Sequence, residues 1–183
     1  MKKVAVFLAD GFEEIEALTV VDILRRARVY VDTVSVTEEY MVRGSHGINV
    51  QTEDLFDEVN FVEFDMVVLP GGMPGTAGLN LHSGVRRVVK DFAETGKYVA
   101  AICAAPSILG GLGLLKGKRA ACYPSVEDKL QGAVILKTPV VQDGNLITSR
   151  GMGTAIDFSL KLVEVLLDRE KADELADSIV YLK

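Results

Sequence analysis

The stretch Tyr98-Val99-Ala100-Ala101-Ile102-Cys103-Ala104-Ala105-Pro106 joins a short apolar run to a cysteine, two alanines and a proline. The run has the length of a strand buried on both faces. Pro106 suits the first turn of a following helix, where its missing N–H costs no hydrogen bond. That helix is predicted to continue to about Leu112. A strand that feeds directly into a helix is the repeating unit of α/β proteins, and the neighbouring segments repeat it. Upstream, Asp65-Met66-Val67-Val68-Leu69 reads as another buried strand, stopped by Pro70-Gly71-Gly72. A helix is expected after it from about Ser83 to Glu94, ended by Gly96.

Working back to the start, Lys3 to Leu8 reads as the first strand and Val29 to Val36 as the second. Between them, Ile15, Leu18, Val21, Leu24 and Ala27 recur at helical spacing, which predicts an amphipathic helix over 13–27 with this stripe facing a sheet. From Met41 to Gln51, β-type residues flank Gly44 and Gly47 in a less regular excursion. Near the other end, Asp143-Gly144 between two apolar runs signals a hairpin of 139–142 with 146–149. Helices over about 154–167 and 171–181 close the chain. Strands alternating with helices predict an α/β fold, a mostly parallel, doubly wound sheet covered on both faces, as one domain over 1–183.

Composition narrows the function classes. Of 183 residues, 49% are hydrophobic, enough for a substantial core, and 26 acidic against 20 basic residues leave a net charge of −6. Without a Lys/Arg-rich run or a basic face, no nucleic-acid partner is expected. No apolar stretch reaches the roughly 18 residues that span a bilayer, so no membrane partner is expected. The apolar run after Lys2-Lys3 ends at Asp10 with acidic residues behind it, which is unlike a signal peptide. The two cysteines, Cys103 and Cys122, sit in no CxxC or Cys/His cluster, so neither a disulfide scaffold nor a metal site is expected. The expectation is a reduced, cytoplasmic domain without a cofactor.

In an open parallel sheet, ligands bind at the rim formed by the strands' C-terminal ends. Three segments fall there. Cys103, at a strand end with small neighbours and a helix following, has the layout of a nucleophile elbow, in which the helix N-terminus is expected to lower the thiol pKa. The plain alternative is a small buried hydrophobe. In Asp10-Gly11-Phe12-Glu13-Glu14-Ile15-Glu16, Glu13 and Glu14 read as a solvated first turn that complements the helix dipole. Glu16, beside a core-facing Ile15, is placed to reach the rim and meet the thiol, where two adjacent negative charges would be costly. Pro70-Gly71-Gly72-Met73-Pro74-Gly75 offers backbone N–H groups to an oxyanion, or is simply a tight turn. It lacks the Lys-Ser/Thr of a phosphate loop and does not fit GxGxxG.

Together these segments resemble the ThiJ/PfpI superfamily, and most closely its branch containing the Parkinsonism-associated redox chaperone and bacterial relatives. The resemblance runs over essentially the whole chain. It is carried by Glu13-Glu14-Ile15-Glu16, Val68-Leu69-Pro70-Gly71-Gly72, Ala100-Ala101-Ile102-Cys103-Ala104-Ala105-Pro106 and Thr148-Ser149-Arg150-Gly151-Met152-Gly153-Thr154. It implies a flavodoxin-like sandwich, a homodimer, and an oxidation-prone Cys103 hydrogen-bonded to a protonated Glu16 carboxyl group. It also implies an anion site from the backbone amides of Gly72 and Ala104. The activities it implies are conversion of methylglyoxal to lactate, removal of early glycation adducts from proteins, chaperone action and peroxide sensing. The expected partner of the site is therefore a small aldehyde or dicarbonyl, or a glycated protein.

The chain departs from the family pattern at two positions. Family proteases carry a histidine directly after the cysteine, where this chain has Ala104, which counts against a cysteine protease. Several relatives with aldehyde activity carry a histidine before a proline, where this chain has Tyr123-Pro124. Its only histidines, His46 in a loop and His82 at a helix start, match no family catalytic position, so Glu16 is expected to serve alone as proton carrier. Tyr123 is a candidate hydrogen-bond donor near the thiol. Arg150 is a candidate for ordering the rim loop or a dimer contact, with a structural salt bridge as the alternative. Cys122 reads as a resolving thiol or a small strand-end residue. Two function classes follow: a cysteine-dependent glyoxalase or deglycase, and a non-enzymatic redox sensor or chaperone acting through Cys103 oxidation.

Overall fold

The computed structural model describes residues 1–181. The chain opens with β1 (Lys3–Leu8), α1 (Glu14–Arg26) and β2 (Tyr30–Ser35), then makes a small hairpin of β3 (Met41–Arg43) with β4 (Asn49–Gln51). A short edge strand β5 (Asp54–Leu55) precedes β6 (Met66–Leu69), α2 (Gly75–Leu81) and α3 (Ser83–Thr95). Next come β7 (Tyr98–Ile102), α4 (Pro106–Gly111) and the short pair β8 (Arg119–Ala120) and β9 (Val134–Ile135). The hairpin β10 (Val140–Asp143) and β11 (Leu146–Ser149), then α5 (Ala155–Leu166) and α6 (Arg169–Ser178), complete it.

Seven strands form one sheet in the order β10-β11-β7-β6-β1-β2-β5, parallel except for the β10–β11 hairpin. Alternation along each central strand divides the core in two. Val4, Val6 and Leu8 of β1, Met66 and Val68 of β6, and Ala100 and Ile102 of β7 pack under α1, α5 and α6. Ala5, Phe7, Val67, Leu69, Val99 and Ala101 face the other way, toward α3 and α4. A strand whose two faces are both covered must be apolar throughout, which is why these segments read as unbroken hydrophobic runs.

Two expectations change. Helical spacing puts Ile15 and Leu18 in the sheet-facing stripe of α1, but they are 50% and 36% exposed, while Ala17, Val20, Ile23 and Leu24 are buried. The helix is apolar over a wider arc than one stripe, and the face that meets the sheet contains Glu16 itself, 1% exposed, in line with Val20 and Ile23. Helix α2 does not follow from the sequence pattern, because Gly75 and Gly78 disfavour helix. Gly75 is there for close approach: a Cβ on it would stand 2.5 Å from the backbone nitrogen of Phe12.

Candidate functional site

Cys103 occupies the turn between β7 and α4 with φ of 64°, a left-handed conformation that costs a non-glycine residue on the order of 1–3 kcal/mol. Its N–H donates to Ser149 O at 3.0 Å, and Tyr123 N–H donates to its carbonyl at 2.8 Å, so neighbouring segments hold the turn on both sides. Ser107 Oγ donates to Ala104 O at 2.6 Å. The thiol lies between two glycines. A Cβ on Gly71 would come within 2.6 Å of both Cys103 Cβ and Glu16 Oε2, and one on Gly151 would stand 3.9 Å from Sγ.

Glu16 projects from the first turn of α1 beneath this elbow. Gly71 N–H donates to its Oε2 at 2.8 Å, while Oε1 is buried and meets no donor at hydrogen-bond geometry among the described residues. Burial pushes the Glu16 pKa up to about 7, against the opposing pull of hydrogen bonds from Cys103 and Gly71, with the nearby Glu13 charge adding to the rise. The thiol moves the same way. Burial first, then the Glu16 charge and hydrogen bond, push Cys103 up to about 12, outweighing the backbone N–H groups of Ala104 and Gly72. This overturns the expectation of a depressed thiol pKa, because the Ala104 N–H of the elbow and the Gly72 N–H of the turn after β6 do not offset desolvation beside a carboxylate. Two adjacent negative charges being costly, thiolate forms here when Glu16 holds the proton.

The pair opens into a cavity of about 1090 Å³ lined also by Glu13, Gly72, Thr76, Ala104, Tyr123 and His46. Tyr123 stands at its rim, 49% exposed, with its ring across Gly151 from the sulfur. Arg150 does not line the cavity; its charge acts on Cys122 instead. Cys122 is 1% exposed and belongs to the core cluster on the opposite face from the one Cys103 packs against, with burial raising its pKa to about 11. It is placed as a small apolar residue, and the structure does not bring it into the Cys103 cavity.

The hairpin tip supplies what local sequence does not show. Glu14, expected to be solvated, is 4% exposed. Its Oε1 accepts His46 N–H at 2.8 Å and Ile48 N–H at 3.4 Å; its Oε2 accepts Ser45 Oγ–H at 3.2 Å and lies 3.0 Å from His46 Nδ1. Burial alone would raise the Glu14 pKa, but the hydrogen bonds from the His46 ring and from backbone N–H groups hold it at about 2. Gly44 is required, because a Cβ there would overlap the Glu14 carboxylate. Glu13 Oε2 lies 3.6 Å from the same His46 nitrogen. These three residues form the one convergence of such side chains among the described residues. His46 thus reaches the cavity from 32 positions along the chain, a contact invisible to any local motif. His82 does not line the cavity; its Nδ1 accepts Val85 N–H at 3.2 Å and caps α3.

An open, mostly parallel sheet with helices on both faces and a cysteine at its strand-end rim defines a flavodoxin-like α/β protein with a thiol site. Residues 2–165 match the DJ-1/PfpI family model, and the chain belongs to that family. It is 33% identical over 189 residues to a protein of Schizosaccharomyces pombe named glutathione-independent glyoxalase DJ-1, with 98% of each covered. It is 40% identical over 181 residues to DJ-1 homolog B of Arabidopsis thaliana, of whose length it spans only 41%. The solved structure of oxidized Toxoplasma gondii DJ-1 superposes with a TM-score of 0.96 at 36% identity, each chain fully covered.

Proposed function

We propose that this chain is a cysteine-dependent stress-protection protein that acts on reactive 2-oxoaldehydes such as methylglyoxal, or on the glycation adducts they form. One observation carries the reading: the Cys103 thiol stands at a strained elbow against a buried Glu16 carboxyl group that titrates near neutral pH. The name of the fission-yeast relative supports it. Glu16 takes the thiol proton and the sulfur adds to the aldehyde carbon. The resulting oxyanion faces the Gly72 and Ala104 amides and then takes the proton from Glu16, giving a hemithioacetal. Moving the C1 hydrogen to C2 as a proton oxidises C1 and reduces C2, giving a lactoyl thioester. Water hydrolyses the thioester, releasing lactate and restoring the thiol, so one aldehyde and one water are consumed per lactate. Lactate formation by the wild type that is lost in Cys103→Ala is the expected result, and equal rates would remove the reading.

The partner in this proposal is a second copy of the chain. Ile15, Leu18, Ile48 and Ile156 are each more than a third exposed and line one groove along α1. A contiguous apolar groove of this kind on a small protein fits an isologous contact.

A second reading rests on the same pair. Peroxide converts the Cys103 thiol to sulfenic acid and a second equivalent gives sulfinic acid, each step releasing water, with protonated Glu16 donating to the oxidised sulfur. The oxidized state named for the Toxoplasma structure favours keeping it. Peroxide treatment is expected to add the mass of two oxygens at Cys103; a Glu16→Gln variant with unchanged products and rates would refute the part given to Glu16.

A further inference from the structure

The tip of the β3–β4 hairpin forms part of the cavity wall, and the chemistry above leaves it unused. Every group that faces the buried Glu14 carboxylate from this tip is a donor: the N–H groups of His46 and Ile48, Ser45 Oγ and the His46 ring. With Nδ1 held 3.0 Å from Glu14 Oε2, the ring carries its hydrogen on that side, and Nε2 is left without a hydrogen bond among the described residues. A carboxylate that fixes an imidazole tautomer in this way readies the opposite nitrogen for proton transfer.

His46 and Cys103 line the same cavity, and a run of contacts along its wall leads from one to the other. Gly71 abuts Cys103 Cβ and Glu16 Oε2, Gly72 abuts the Glu13 backbone, and Glu13 Oε2 lies 3.6 Å from His46 Nδ1. A 2-oxoaldehyde held on Cys103 has its aldehyde oxygen at the Gly72 and Ala104 amides, so its second carbonyl oxygen, O2, projects into the cavity. That oxygen gains negative charge as the C1 hydrogen leaves, and Glu16 is occupied with that hydrogen.

We propose that His46 is a second acid/base of the Cys103 site, serving O2 of the bound substrate, and that Glu14 is its positioning residue. The proposal rests on the aldehyde reading above. Glu16 carries the C1 hydrogen to C2 as a proton, while His46 Nε2 protonates O2 and is recharged by the proton released from O1. The charged groups facing the ring are Glu13 and Glu14, from the α1 side, and Arg43, whose guanidinium lies beside Gly47 on the hairpin. The Glu14 hydrogen bond and the two carboxylate charges raise the His46 pKa, which favours the protonated ring that Nε2 needs to donate.

The test compares wild type, His46→Ala, His46→Gln, Glu14→Gln and Cys103→Ala with methylglyoxal as substrate, measuring kcat and KM across pH. Alkylation of Cys103 by iodoacetamide serves as the check that the site is intact. His46→Ala is expected to lower kcat by about a hundredfold, the low end for a lost acid/base because the ring is exposed, with KM little changed. It should also lose the alkaline limb of the kcat profile, and added imidazole should restore part of the rate. Glu14→Gln should move that limb to lower pH. A His46→Ala kcat within about twofold of wild type, or a fall with the alkaline limb intact and no imidazole rescue, overturns the role of His46 and leaves the thiol chemistry standing. A wild type no faster than Cys103→Ala overturns both.

Discussion

Replacing Glu16 with Gln should make the protein less sensitive to alkaline pH. The wild-type carboxyl group has an ordinary pKa of 4.5 when unfolded and is pushed to about 7 by burial when folded. Between those values the folded chain binds a proton that the unfolded chain does not, so stability is fully present below pH 4.5 and falls as pH rises through 7. At about 1.4 kcal/mol per pH unit, the loss attributable to this one group approaches about 3 kcal/mol by pH 8. Gln keeps the shape and the acceptor for Gly71 N–H but has nothing to ionise. In the wild type the Cys103 thiol, pushed up to about 12, stays neutral over this range, and in Glu16→Gln burial, the largest cause of that rise, is retained. Urea unfolding of both proteins at pH 5, 6, 7 and 8, at one fixed protein concentration, yields the difference curve. The loss from this group should be under about 1 kcal/mol at pH 5 and about 3 kcal/mol at pH 8, so the gap in favour of Glu16→Gln should widen by about 2–3 kcal/mol over that range. Parallel curves would refute the claim that the folded protein shelters a neutral carboxyl group.

Gly71→Ala forces a Cβ within 2.6 Å of Cys103 and Glu16; it should cost about 1–3 kcal/mol in urea unfolding and slow Cys103 alkylation, and an unperturbed thiol would show the contact is not tight. Asp32 is 2% exposed on β2, next to the edge strand β5, and burial, then the neighbouring Asp54, raises its pKa to about 7. By the same sign, stability associated with it is lost as pH rises through 7, so Asp32→Asn should gain stability at pH 8 relative to wild type while differing little at pH 5. Charge placed in the apolar groove by Leu18→Glu should convert a dimer to a monomer in light scattering; an unchanged mass would move the contact elsewhere.

The sheet is legible in the sequence because its strands are covered on both faces, which forces Val67, Val68, Val99 and Ala100 into unbroken apolar runs. The elbow is legible because a cysteine that ends an apolar run, followed by small residues and Pro106, suits a sharp strand-to-helix turn and little else. Contacts between distant segments are legible only where strand order brings two strand ends to one rim, as for Glu16 and Cys103. Glu14 reads as a solvated first-turn residue, yet it is clamped by a hairpin 32 residues away. For the same reason His46 carries no local mark of the cavity it lines, and the sequence points to Glu16 alone as the proton carrier. The direction of the thiol's pKa shift escapes the sequence because a helix N-terminus can be read locally, whereas desolvation depends on what the fold packs around the sulfur. Ile15 and Leu18 read as core residues because an apolar side chain on a helix does not declare which of two faces is covered.

The most direct test is lactate production from methylglyoxal by the wild type, Cys103→Ala and Glu16→Gln, assayed side by side at neutral pH. A thiol served by a buried proton carrier predicts measurable turnover in the wild type, none above background in Cys103→Ala, and a loss of about 10²–10⁴ in Glu16→Gln. Equal rates in the wild type and Glu16→Gln, or lactate formed as fast by Cys103→Ala, would contradict it.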